Sequence, residues 1–297
     1  MSQQFDVVCL GGGVAGEAIA EGLRDSGLTL AVVERELVGG ECPYWGCVPS
    51  KTLLRSAETL SEADRARHLA ASRVECTIDF PKVSTRVLWM ARNLDDSRPA
   101  AAMRATGATL FRGEGKLLDP RTVDVGGEQL VARRALVIAN GGRAAIPSIP
   151  GLDAVEFWTN RQAAIPRELP ASLAILGGGA IGTELGQAFA RLGSKVTVIE
   201  AGPRYLGLEE PEAGAALRPH LEADGVTFTI GPDGVVDDEF LIGGRGHTFS
   251  VGDYVLTLKS RSPRLVGTIK TKAPAVDLGN GKSAGLDALF ELAITAR

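Results

Sequence analysis

Two stretches of the chain repeat one pattern of apolar and polar positions. They are FDVVCLGGGVAGEAIAEGLRDSGLTLAVVE, residues 5–34, and SLAILGGGAIGTELGQAFARLGSKVTVIE, residues 172–200. Each opens on a short apolar run, passes through a glycine cluster, continues with apolar residues at helical spacing, and returns to a second apolar run ending in glutamate. The pattern predicts strand, tight turn, amphipathic helix and second strand. The strands are apolar throughout rather than alternating, as in a parallel sheet covered on both faces. The first glycine precedes the closing glutamate by 23 positions in both copies, Gly11 to Glu34 and Gly177 to Glu200. Two such units in one chain predict two dinucleotide-binding halves.

Between them lies a cysteine-bearing segment, GGECPYWGCVPSKTLLR, residues 39–55, followed by a helical stretch through about Ala71 and another from about Ser84 to Ala105. Short strands follow near Thr109–Phe111 and Thr122–Val125, then a turn at Gly126-Gly127 and a strand over Ala135–Ala139. NGGRAAIPSIPGL, residues 140–152, has the glycine and proline content of a linker. After Glu200 come a helix over 210–222, a strand over 226–230, and a turn-rich region with a candidate hairpin over Thr248–Leu258. The expected fold class is α/β: two Rossmann-like dinucleotide-binding domains, incomplete, with a β-rich or irregular C-terminal tail. The expected boundaries are 1–150, 151–235 and 236–297.

Composition narrows the functional classes. The 297 residues are 44% hydrophobic and 23% charged, a globular balance. A net charge of −4 sets up no global attraction for nucleic acid or anionic lipid, so neither is an expected partner. No apolar run approaches the ~18 residues of a spanning helix. Asp6 interrupts the N-terminal apolar stretch, which argues against a signal peptide. The expected location is cytoplasmic. Cys9, Cys42, Cys47 and Cys76 are too few for a disulfide scaffold. His68, His220 and His247 lie away from the cysteine pair, so no zinc spacing is present and no metal site is expected. Four of the 8 lysines lie after residue 258, and the segment 251–297 carries 7 basic against 4 acidic side chains, unlike the acidic, arginine-favouring body.

Gly11, Gly13 and Gly16 form G-x-G-x-x-G at the first strand-to-helix turn, and Gly177, Gly179 and Gly182 form it at the second. The first glycine permits the turn, the second lets backbone approach a pyrophosphate, and the third lets helix and strand pack closely. Glu34 and Glu200 stand where a carboxylate accepts ribose hydroxyls. At Glu200 this favours NADH over NADPH, a preference that nearby Arg204 could soften. Cys42 and Cys47 are separated by Pro43-Tyr44-Trp45-Gly46. The spacing suits a redox-active bridge across a distorted helical turn; two buried free thiols are the alternative. Cys9 and Cys76 are read as structural.

GGECPYWGCVPSK resembles the signature of the class I pyridine nucleotide–disulfide oxidoreductases, the family of dihydrolipoamide dehydrogenase, glutathione reductase and mercuric reductase. Gly39, Gly40, Cys42, Cys47, Pro49, Ser50 and Lys51 match it. Ala139 through Gly151 is similar to a second family signature, keeping Gly141, Pro147, Ile149, Pro150 and Gly151 but with Asn140 and Gly142 in place of Thr and Ser. The resemblance covers roughly residues 5–231.

It implies FAD at the first fingerprint, NADH at the second, and a Cys42–Cys47 disulfide beside the flavin. Cys47 would lie nearest the ring and Cys42 would exchange with a small disulfide or dithiol substrate. Lys51 would sit near the flavin, Gly115 and Gly141 would contact FAD, and Glu184 would line the nicotinamide site. The implied function is an FAD-dependent NAD(P)H–disulfide oxidoreductase, similar to dihydrolipoamide dehydrogenase. The alternative is a non-catalytic nucleotide-binding remnant. A thioredoxin reductase type is disfavoured because its C-x-x-C lies in the NADPH domain.

The chain also departs from the family. Relatives run to roughly 450 residues and homodimerise through a C-terminal domain bearing a His–Glu pair. The expectation here is a truncated chain without that domain and with little dithiol oxidation. FSVGDY, with Gly252 and Asp253, is similar to a flavin-ribityl motif but arrives only 53 residues after Glu200, and a Gly-Asp turn is the plainer reading. The spacer lacks the family's commoner Asn.

Overall fold

The computed structural model describes residues 2–147 and 152–230, together with the backbone of strands between 248 and 293. The chain divides into two compact units, residues 1–52 with 85–144, and residues 53–84 with 145–297. Residues 53–84, expected in the first domain, therefore group with the second unit.

The first unit opens with β1 (Ser2–Leu10), α1 (Val14–Gly22) and β2 (Leu30–Glu34). It continues through α2 (Glu41–Tyr44) into α3 (Cys47–Leu69), which carries on into the second unit. After α4 (Phe80–Met90) and α5 (Ser97–Ala105) come β3 (Thr109–Arg112), β4 (Gly115–Asp119), β5 (Thr122–Val125) and β6 (Glu128–Ile138). The strands make one six-stranded sheet in the order β3-β2-β1-β6-β5-β4. β3, β2, β1 and β6 run parallel, and β5 and β4 extend the sheet antiparallel.

Side-chain alternation splits the core in two. Val7, Cys9, Leu30 and Val32 pack with Ala20, Ala100 and Met103 of α1 and α5. Phe5, Val8, Ala31 and Val33 pack on the other face with Val123, Val125 and Leu130 of the antiparallel ribbon. That second cover explains why Val7–Leu10 of β1 and Leu30–Val33 of β2 are apolar without alternation.

Two expectations need correction here. The single helix over 84–105 is two helices, α4 starting at Phe80 and α5 at Ser97. Arg92, Asn93 and Leu94 between them have φ of 58°, 53° and 58°, left-handed values that no α-helix accommodates. The final strand starts at Glu128 rather than Ala135, and β4 was not anticipated. Both lie in the ribbon, where polar residues such as Gln129, Arg133 and Lys116 alternate with apolar ones and hide the strands.

The second unit contains α6 (Asn160–Ala164), β7 (Ser172–Leu176), α7 (Ala180–Leu192), β8 (Lys195–Glu200), α8 (Pro211–Ala223) and β9 (Val226–Ile230). β7, β8 and β9 are parallel, with β8 central. α7 ends at Gly193, whose φ of 108° supplies the left-handed cap. Beyond residue 230 the backbone forms an antiparallel sheet of β10 (Thr248–Val251), β11 (Tyr254–Arg261), β12 (Arg264–Thr271) and β15 (Asp287–Ala293), with β13 (Val276–Asp277) paired to β14 (Ser283–Ala284). The expected hairpin over 248–258 corresponds to β10 and the first part of β11. Gly252, Asp253 and His247 lie outside the described residues, as do Ile149, Pro150 and Gly151.

Asp6 ties the first unit together. Its Oδ2 accepts the Thr29 N–H at 3.0 Å, the Thr29 hydroxyl at 2.9 Å and Arg133 Nη2 at 3.0 Å. It thus joins β1 to the approach of β2 and to β6. These bonds hold its pKa at about 2, below the ordinary 3.8. A depressed carboxylate contributes stability that is fully present above the unfolded pKa and is lost as pH falls through the folded one. The melting temperature of Asp6→Asn should therefore lie below wild type at pH 6, with the gap closing between about pH 4 and pH 2. A gap unchanged across that window contradicts the assignment.

Candidate nucleotide-binding and thiol sites

The two glycine fingerprints are built alike. Gly11 and Gly177 have φ of +114° and +107°, so each turn needs a residue free of the L side-chain restriction. A Cβ on Gly16 would stand 2.2 Å from the Gly11 carbonyl oxygen, and one on Gly182 would stand 2.3 Å from that of Gly177. These two glycines therefore let each helix press against its own turn.

The closing glutamates are already engaged. Glu34 Oε2 accepts the Gly12 N–H at 2.7 Å, and its Oε1 accepts the Glu36 N–H at 2.7 Å. Glu200 Oε2 accepts the Gly178 N–H at 2.7 Å, and its Oε1 accepts the Gly202 N–H at 2.6 Å. An ionised carboxylate oxygen has two acceptor positions, so one on each oxygen remains for a ribose hydroxyl.

Arginine braces the loop after each glutamate. Arg112 donates to the Glu36 carbonyl at 3.0 Å and to Asp96 at 2.6 Å, and Asp96 also accepts the Val38 N–H at 2.7 Å. Arg204 donates to the carbonyls of Leu206, Gly207 and Glu209 at 2.9, 2.8 and 2.6 Å. Tyr205, packed beside Gly178, shares a 2.6 Å hydrogen bond with Thr183. Burial pushes the Tyr205 hydroxyl pKa up, against that bond. The arginine and tyrosine contacts had no counterpart in the sequence reading.

Cys42 lies on α2 and Cys47 begins α3, with the helix break at Trp45-Gly46 between them. Trp45 and Gly46 both donate their N–H to the Glu41 carbonyl, at 2.8 and 2.7 Å. A Cβ on Gly46 would stand 3.4 Å from Cys42 Cα, so glycine keeps the spacer tight. Both cysteines are exposed free thiols, which departs from the alternative of two buried thiols. They are hydrogen-bonded to one another. The Cys42 pKa is raised, first by that bond, then by burial and by the charge of Cys47. The Cys47 N–H and the Lys51 ammonium, one turn along α3, pull it the other way.

The remaining expected residues are distributed as follows. A Cβ on Gly115 would meet Leu10 Cδ2 at 2.6 Å and Val33 and Val123 at 3.2 Å, so a larger residue there would displace these side chains. Gly141 is exposed with φ +64°. Glu184 is half-buried on α7. Cys9 is buried, its thiol donating to the Gly11 carbonyl at 3.5 Å, and burial pushes its pKa up to about 11. Cys76 is exposed in an irregular segment, which does not fit a structural role. His220 is exposed on α8. No described helix is long and apolar enough to cross a membrane.

The family model "Pyridine nucleotide-disulphide oxidoreductase" matches residues 5–256, past the residue-231 limit of the motif resemblance. A mercuric reductase of Staphylococcus aureus is 30% identical over 227 residues, 76% of this chain and 41% of that protein. A dihydrolipoyl dehydrogenase of Chlorobaculum tepidum is 33% identical over 239 residues, covering 78% and 50%. One of Acholeplasma laidlawii is 32% identical over 231 residues, covering 76% and 68%. The chain thus spans half or less of the length of the first two. The HOCl-induced flavoprotein disulfide reductase RclA from Escherichia coli shares the fold, with a TM-score of 0.69 at 22% identity over 96% of this chain and 55% of that one. From Phe5 of the first strand through both glycine fingerprints and the cysteine pair, the chain belongs to the pyridine nucleotide–disulfide oxidoreductase family.

Proposed function

We propose that the chain binds FAD at the first fingerprint and NADH at the second, and that Cys42 and Cys47 cycle between dithiol and disulfide against a small disulfide or dithiol. Two glycines that the protein itself does not need carry this reading. Gly13 has φ −76° and ψ −165°, and Gly179 has φ −80° and ψ −176°, extended backbone open to any residue. A Cβ on Gly13 would meet only Gly40, at 3.6 Å, and one on Gly179 would meet nothing within 4 Å. Each caps a helix N-terminus, where free N–H groups and the helix dipole favour a pyrophosphate. A side chain there would obstruct only a ligand.

The Gly11–Gly16 loop and Glu34 would hold the adenosine diphosphate half of FAD, with Lys51, Gly115 and Gly141 toward its other half. Bound FAD supplies the two-electron relay between the nicotinamide and the cysteine pair. Glu200 would accept the NADH ribose hydroxyls, with Glu184 toward the nicotinamide. Arg204 is committed to three loop carbonyls rather than free to meet a 2′-phosphate. That supports NADH over NADPH.

The cysteines supply the exchange chemistry. The Cys42 thiolate attacks a substrate disulfide, forming a mixed disulfide and releasing one substrate thiolate. The Cys47 thiolate then attacks Cys42 sulfur, closing the Cys42–Cys47 bond and releasing the second. Two protein thiols are oxidised and one substrate disulfide is reduced. Dihydrolipoamide and lipoamide are the substrate pair we propose, in keeping with the 33% identical dihydrolipoyl dehydrogenase.

Gly13→Ala should melt within about 2 °C of wild type yet bind FAD at least tenfold more weakly, about 1.4 kcal/mol. Gly179→Ala should do the same to NADH. Calorimetric titration of both variants with both ligands tests the assignment, and unchanged affinities overturn it. Wild type should prefer NADH to NADPH by at least about tenfold, the cost of facing a phosphate with a carboxylate, and Glu200→Ala should narrow the gap. Equal affinities in wild type contradict the preference. Binding without lipoamide reduction would leave the non-catalytic reading.

Cys47→Ala removes the bond and charge that raise the Cys42 pKa, so Cys42 should alkylate several-fold faster at pH 7.5. Lys51→Ala should slow it by about two- to fivefold, the scale of an exposed charge pair. Peptide mapping after iodoacetamide measures both, and slower alkylation in Cys47→Ala contradicts the assigned cause.

A further inference from the structure

Tyr44 occupies the middle of the spacer between the cysteines, yet it is fully buried. Its hydroxyl donates to the Val38 carbonyl at 3.0 Å and accepts from the Arg92 guanidinium. Its ring lies against Gly39, where a Cβ would stand 3.3 Å from Tyr44 Cε2. The strap of residues 36–40 that it grips is itself fixed. Gly39 donates its N–H to the Gly12 carbonyl at 2.8 Å, Val38 donates to Asp96 at 2.7 Å, and Arg112 closes the brace on Asp96 and the Glu36 carbonyl. Arg92 reaches the hydroxyl from a backbone held at φ 58°. Tyr44 therefore hangs the four-residue helix that carries Cys42 on a rigid strap, while Cys47 starts a separate helix.

We infer that Tyr44 is a positioning residue: it holds Cys42 at a fixed place beside Cys47 and so sets the equilibrium between dithiol and disulfide. The inference rests on the proposed redox role of the pair. An intramolecular disulfide is favoured in proportion to the effective concentration of its two thiols, which falls when one is allowed to wander. Phenylalanine at position 44 keeps the ring against Gly39 but loses both hydroxyl bonds, so Cys42 gains freedom.

The test is a redox titration of the chain in glutathione buffers, with alkylation and mass spectrometry reading the Cys42–Cys47 state. Oxidation transfers two electrons and two protons from the thiols to glutathione disulfide, whose S–S bond breaks to give two glutathione molecules. Tyr44→Phe should lower the equilibrium constant for disulfide formation by about tenfold, a potential about 30 mV less negative. Ser194→Ala is the matched control. It removes another buried hydroxyl that donates to a backbone carbonyl, Pro170 at 2.6 Å, and should leave the couple unmoved. Should Tyr44→Phe fail to fold, Arg92→Gln at an exposed position decides, with a smaller shift in the same direction. A wild-type couple that Tyr44→Phe or Arg92→Gln leaves in place overturns the positioning role and spares the proposed function. A pair that never oxidises in wild type overturns both.

Discussion

Gly12 has both of its backbone polar groups engaged, the N–H by Glu34 at 2.7 Å and the carbonyl by the Gly39 N–H at 2.8 Å. Gly178 repeats the arrangement, giving its N–H to Glu200 at 2.7 Å and accepting the Leu206 N–H at 3.1 Å. The residue after the first glycine of each fingerprint is thus clamped between the acid that ends the second strand and the loop that follows it. The proposed sites of both units depend on this clamp. It fixes the helix N-terminus, aims the carboxylate, and selects which segment lies next to the nucleotide loop. In the first unit that segment is the strap on which the cysteine helix is hung. In the second it is the Arg204-braced loop.

The clamp also lets one carboxylate serve the fold and, as proposed, a ligand together. Two backbone N–H groups satisfy one position on each oxygen and lock the rotamer before any ribose arrives. Binding then costs little side-chain entropy, the general advantage of a preorganised group. The arginines complete this from outside. Arg112 and Arg204 donate to carbonyls of the very loops whose N–H groups face the carboxylates, so the loops are held from both sides. Arginine suits this because its planar fork reaches several acceptors at once.

Both β-α-β units and the cysteine segment were legible in the sequence because their signals are local. A glycine turn, an all-apolar strand and a closing glutamate need no knowledge of distant partners. What escaped was set by long-range contact. The left-handed run at Arg92–Leu94 breaks a stretch whose composition reads as continuous helix, and its place becomes intelligible only beside Tyr44 and Asp96. Strand β4 carries exposed Leu117 and Leu118 and pairs on one side alone, so no clean alternation marked it. Gly115 was read through a cofactor contact alone, and its crowding by Leu10, Val33 and Val123 depends on three separate strands. Arg204 was legible as a nearby cation, but its three carbonyl partners depend on how the loop folds back.

The two repeats differ in what flanks their first strand. In the first unit β6 runs parallel to β1, and its continuation brings the Ala139 carbonyl to within 2.1 Å of where a Gly11 Cβ would be. The central residues of β1 are buried as a result. In the second unit, among the described residues, β7 pairs with β8 alone, a Cβ on Gly177 would meet nothing within 4 Å, and Leu176 is 41% exposed. Cohesion there leans instead on α7, where Gly186 lets the helix settle onto Ile175, Val196 and Val198, and on Phe189 and Leu192 buried along the same face. A nucleotide held at the second fingerprint, as proposed, adds its binding free energy to the folded form of the strand–turn–helix that carries it, so its occupancy reads out as stability of the second unit.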